Sequence, residues 1–160
     1  MDDMSERSLP QMSALTPHLV VDGGAKAIDF YGRAFCAEEL TRLDGPDGRL
    51  MNACLRIGGQ TLMLVDAMPE RGVVSPATLG GSAVTLHLEV GDVDAAFARA
   101  VAAGATVTMP VADMFWGDRY GMLTDPFGHN WSIATHQRDV TVSEMQAAMA
   151  KMSPECGAAA

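Results

Sequence analysis

The stretch TPHLVVDG, residues 16–23, returns almost unchanged as TLHLEVGD, residues 85–92, with a histidine in the third place of each copy. His18 and His87 stand 69 residues apart in a chain of 160, a little under half its length. Each copy opens with strand-like alternation and then changes period. After the first, GGAKAIDFYGRAF sets Ala27, Ile28, Tyr31, Ala34 and Phe35 on one helical stripe. After the second, DVDAAFARAVAAG does the same with Val93, Ala96, Phe97, Ala100 and Val101. Asp22 and Asp92 stand where N-caps are expected, and Gly104 where the second helix should stop.

Working outward, the first helix is followed by EELTRL, RLMNACLRI and TLMLVD, joined by DGPDG and GGQ turns as a three-stranded meander. The second is followed by ATVTMPV, an aromatic loop DMFWGDRYG, then RYGMLTD, a DPFGH turn and NWSIATH. Gly59 falls on Gly128, and Arg49 on Arg119, at nearly the same offset. The spacing predicts an α+β chain in which one βαβββ module is used twice, over residues 13–66 and 82–137. Between them, residues 67–81 are rich in Gly, Pro and Ser and read as a linker or a flap over a site. Residues 138–152 predict a C-terminal helix, with a Thr141-x-x-Glu144 capping box and apolar Met145, Ala148, Met149 and Met152. The ends, 1–12 and 153–160, read as disordered tails.

Composition narrows the partners. The residues are 48% hydrophobic and 19% charged, which suits a packed domain, and no apolar run reaches the roughly 18 residues a membrane span needs. The opening MDDMSERSLPQM is polar and acidic, unlike a signal or transit segment. Cys36, Cys54 and Cys156 show no CxxC spacing and read as reduced thiols, which predicts a cytoplasmic protein. A net charge of −9 without a basic stripe argues against nucleic acid and anionic membrane, leaving a small molecule or a protein as partner. No GxxxxGK[ST] pattern supports a phosphate loop.

The paired modules, with AIDFYGRAF after the first strand and DPFGHNW before the last, resemble the vicinal oxygen chelate superfamily. That group includes glyoxalase I, extradiol dioxygenases and the bleomycin- and fosfomycin-resistance proteins. TPHLVVDGGAKAIDFYGRAF, LGGSAVTLHLEV and MPVADMFWGDRYGMLTDPFGHNWSIATH look like its PhnB-like branch, over residues 14–140. The resemblance implies that each module curls into half of an open, eight-stranded barrel-like sheet, the glyoxalase/bleomycin-resistance fold. It also implies a homodimer with its ligand on the concave face.

Strand alternation sorts the histidine strands. Leu19 and Val21, and likewise Leu86 and Leu88, should pack under the helices. Thr16, His18 and Val20, and Thr85, His87 and Glu89, are then left on the concave face. The resemblance puts the superfamily's metal ligands, ordinarily His, Glu or Gln, at Thr16, Met63, Thr85 and Ser132. None of these four suits Zn, Ni or Fe. The expectation is therefore a protein that binds a small organic molecule without a cofactor. The alternative is a lyase or dioxygenase with a divalent Zn, Ni, Mn or Fe in a displaced site at His18, His87 and Glu89.

Trp116 and Tyr120 add flat apolar surface, while Arg119, oriented by Asp118, can grip an anionic group in two-pronged fashion. Their loop either seals one end of the barrel or reads an organic, anionic substrate. The candidate ligand-binding residues are thus Thr16, His18, Thr85, His87, Trp116, Arg119, Tyr120 and Ser132. His129 and His136 read as surface positions, and Cys54 as a small core residue. A third reading, a non-catalytic partner of another enzyme, predicts an exposed apolar patch.

Overall fold

A computed structural model describes residues 8 and 10–152. The expected tail at 153–160 and Cys156 lie outside the described residues, as does most of the tail at 1–12. The first module runs β1 (His18–Val21), α1 (Gly24–Phe35), β2 (Glu38–Asp44), β3 (Leu50–Ile57) and β4 (Gln60–Asp66). The second repeats it as β5 (Thr85–Glu89), α3 (Val93–Ala103), β6 (Thr106–Asp113), β7 (Asp118–Thr124) and β8 (Asn130–His136). Between them lies the short helix α2 (Pro76–Leu79), and α4 (Val142–Met152) closes the described chain.

The strands form two four-stranded mixed sheets, ordered β1-β4-β3-β2 and β5-β8-β7-β6. In each, the first strand runs parallel to the last and the other neighbours are antiparallel. Among the described residues no strand pairing joins the two sheets, and these eight strands do not close. The paired βαβββ architecture is the one the repeat predicts.

Both helices bury most of their predicted stripes; Val101, expected on the second, is instead 40% exposed at the last turn of α3, and Ile28 is half-buried. Ala27, Tyr31, Ala34 and Phe35 on α1, and Val93, Ala96, Phe97 and Ala100 on α3, are buried, and α1 packs on α3. Phe35 and Trp131 meet with ring centroids 4.5 Å apart, and Tyr31 lies 5.7 Å from Trp131, so one aromatic core serves both modules. Rings of this size carry most of the burial that holds such a seam.

The helix entries differ from expectation in the first copy. Asp92 caps α3 by accepting from Ala95 N at 3.0 Å. Asp22 does not cap α1. It takes the Ser75 hydroxyl at 2.5 Å instead, tying the connecting segment to the first module. The α1 cap is Asp66, at the end of β4, whose Oδ1 accepts from Gly23 N at 3.1 Å and Gly24 N at 2.6 Å. Its Oδ2 accepts from Leu50 N at 2.7 Å. Gly24 is required there, because a Cβ would lie 2.4 Å from Leu50 Cδ2.

Candidate functional site

Alternation sorts the strands as the sequence predicts. Leu19 and Val21 are buried, while His18, Thr85, His87 and Glu89 are exposed. On the second sheet His87 lies in register with Ser132, and Ser132 with Met122. The pairing is chemical as well: His87 Nδ1 lies 2.7 Å from Ser132 Oγ, and His87 Nε2 lies 2.9 Å from Glu89 Oε1. A carboxylate only accepts, so Nε2 carries the proton. In the neutral ring Nδ1 is then the acceptor and the Ser132 hydroxyl donates.

Aromatic rings continue from this chain. Tyr120 stacks on the His87 ring with centroids 6.1 Å apart and planes 20° from parallel. Trp116 meets Tyr120 edge-on at 5.4 Å, and Phe115 meets Trp116 in the same way at 5.1 Å. A tight turn aims these rings, with Gly117 N bonded to Met114 O at 3.0 Å. The chain leaving β8 clamps that turn from outside, where Gln137 N and Arg138 N both donate to Gly117 O. Gly117 has φ +105°, and an added Cβ would collide with the Arg138 carbonyl.

Arg119 is not part of this face. Neighbouring Tyr120 on β7, it must point to the opposite side of the sheet. There it donates to both Asp94 oxygens, at 2.7 and 2.8 Å, and to Asp113 at 3.1 Å. These bonds hold the Asp94 carboxyl below its usual range. Asp118 does not orient Arg119. It accepts from His136 Nδ1 at 2.9 Å, and Asp139 takes Nε2 at 3.0 Å. His129, expected at the surface, is buried, and its Nε2 lies 3.0 Å from the Val20 carbonyl across the module seam.

Two hollows flank the gap between β1 and β5. The first, of about 400 Å³, runs along the free edge of β5 and is walled by Leu15, Leu62, Leu86, Leu88, Trp131, His87 and Glu89 among others. The second, of about 410 Å³, is lined by His18, Leu19, Val20 and His129, with Val74, Pro76 and Leu79 from the connecting segment. His18 and His87 therefore occupy different hollows of one chain, with Pro17 and Leu86 common to both walls.

A divalent ion does not fit the donors that one chain brings together. Thr16 Oγ1 is engaged with Thr61 Oγ1 at 3.1 Å, Met63 offers only a thioether, and Thr85 is exposed. Of the displaced set, only His87 and Glu89 are neighbours. Among the described residues no three of His, Cys, Asp and Glu converge as ion ligands.

Residues 12–133 match the family model for the Glyoxalase/Bleomycin resistance protein/Dioxygenase superfamily. The chain belongs to that superfamily. One relative is Rv0887c of Mycobacterium tuberculosis, 55% identical over 139 residues, covering 85% of this chain and 82% of its own length. Among solved structures, TioX from Micromonospora sp. ML1 is 31% identical, with a TM-score of 0.61 over 78% of this chain and 98% of TioX. A PhnB protein from Bacillus cereus shares the fold at 21% identity and a TM-score of 0.61, covering 77% of this chain and 99% of its own. Among the described residues, no helix is long and apolar enough to cross a membrane.

Proposed function

We propose that this glyoxalase-superfamily chain binds a small organic molecule in the hollow beside His87, without a divalent metal. It does so as a homodimer whose second copy covers the open sheet faces. The observation that carries this reading is the commitment of both His87 ring nitrogens, to Ser132 and to Glu89, beside an apolar cavity of about 400 Å³. A cavity of that size with a few placed polar groups is what a small-molecule site needs. The side chains at the four superfamily ligand positions, Thr16, Met63, Thr85 and Ser132, support the same reading.

The rival reading is a lyase or dioxygenase with Zn, Ni, Mn or Fe at His87 and Glu89. It draws on their 2.9 Å contact and requires His18 or another donor from a second copy. Elemental analysis after dialysis, following exposure to each ion, separates the two. We expect no bound metal. Near-stoichiometric metal that disappears in the His18→Ala/His87→Ala double variant would replace our reading with the rival. Sedimentation equilibrium tests the dimer, and a monomer at micromolar concentration would remove that part of the proposal.

A further inference from the structure

The hollow beside β5 has a charge bias that limits what it can accept. Most of its wall is apolar, and its polar side chains are Gln60, Thr61, His87 and Glu89. It thus contains one carboxylate and no Lys or Arg. Arg119 and Arg56 are both paired with carboxylates outside this wall. Arg119 is held by Asp94 and Asp113 on the helix side of the second sheet. Arg56, in register with Thr61, bridges to Glu38 at 3.0 Å.

The hydrogen-bond chain leaves half of the carboxylate available. Glu89 gives Oε1 to His87, and Oε2 has no partner among the described residues. Gln60 gives its amide oxygen to Ser13, and Thr61 shares its hydroxyl with Ser13 and Thr16. The Gln60 amide nitrogen is left as a neutral donor, and the charged group of the wall with an unengaged oxygen is the Glu89 carboxylate.

We infer that this hollow takes an apolar organic cation, an amine whose ammonium sits on Glu89 while its hydrocarbon or aromatic body lies against Leu88 and Trp131. The inference rests on the reading of this hollow as the ligand site. An anionic ligand would lose its hydration without a counter-charge and would face Glu89 at close range. The chain's net charge of −9 adds a long-range field that draws cations and repels anions. Arg119, which by sequence suggests an anionic substrate, has no part in this wall.

The test is calorimetric titration of the full chain with three probes of matched shape: 4-phenylbutylamine, 4-phenylbutan-1-ol and 4-phenylbutyrate. The amine should bind about tenfold more tightly than the alcohol, as a partly exposed charged pair allows, and the carboxylate should be weakest. Glu89→Gln should bring the amine to the level of the alcohol, with an unchanged melting temperature showing that the variant is folded. Amide shifts induced by the amine should centre on His87, Leu88 and Glu89. Equal binding of amine and alcohol, or tighter binding of the carboxylate, would overturn the charge inference while leaving the hollow as a binding site. Amine shifts centred elsewhere, or no binding by any of the three at millimolar concentration, would overturn both.

Discussion

The phenol of Tyr31 donates to Asp125 at 2.7 Å across 94 positions of the chain, fastening the first module's helix to the DPFG turn of the second. Asp125 is 4% exposed and accepts three more hydrogen bonds, from Trp131 Nε1, Phe127 N and His129 N. Four donors hold this buried carboxylate.

Removing the carboxylate should cost far more than removing one donor. Asp125→Ala strands two side-chain and two backbone donors and should lower stability by about 3 kcal/mol. Tyr31→Phe deletes one donor and should cost about 1 kcal/mol. Urea unfolding reads both values. Equal losses in the two variants would mean that Asp125 is not the hub.

Burial, then the Asp125 charge, holds the Tyr31 phenol well above its ordinary range. A raised folded value makes a contribution that is complete below the unfolded value of about 10 and lost as pH rises through the folded one. In a Tyr120→Phe background, tyrosinate absorbance should therefore appear together with loss of the circular dichroism signal. Ionisation of Tyr31 in a still-folded chain would contradict this.

His136 should titrate above the ordinary histidine value, because it bonds first to Asp118 and then to Asp139. The stabilisation it gives is present in full below about 6.5 and disappears as pH rises through the higher folded value. Proton NMR of the His136 ring in wild type and Asp118→Asn checks this. An unchanged midpoint in the variant would remove Asp118 as the main cause.

Arg119→Ala should leave amine binding in the β5 hollow unchanged and lower the melting temperature only slightly, since its ion pairs are solvent-exposed. Gly117→Ala should be worse by about 2 kcal/mol or more, from its positive φ and the Arg138 carbonyl. A binding defect in Arg119→Ala would return the guanidinium to the site.

Trp131 is 4% exposed and Trp116 is half-buried, so acrylamide should quench mainly Trp116. Trp116→Ala should leave a fluorescence that acrylamide barely touches. Strong residual quenching would show that the aromatic core is open.

The repeat made the fold legible because each copy states it independently: a two-residue period, then a helical one, then turns at matching places. The same alternation sorted His18 from buried Leu19, and His87 from half-buried Leu86 and Leu88. It also held the signal that was missed for Arg119, since adjacent residues on a strand cannot share a face with each other. His129 offered no such signal. It sits in a turn, and only the docking of that turn on the first module brings it to the Val20 carbonyl and out of water. The β5 hollow was illegible for the same reason, as its walls come from both halves of the chain.

The two helix entries show how the copies have parted company. Asp66 and Thr135 occupy the same place in their modules, and each accepts from the first amides of its own helix. Gly23 and Asp92 are likewise counterparts, one a left-handed glycine without a side chain, the other a capping carboxylate. Each copy keeps one acidic residue at its helix start but draws it from a different stretch of chain. Helix α3 therefore carries its own start signal, whereas α1 must wait for a strand that ends 42 residues downstream of Gly24. A chimera that exchanges the helices together with their cap residues, Gly23 and Asp92, would leave one start with two capping carboxylates and the other with none.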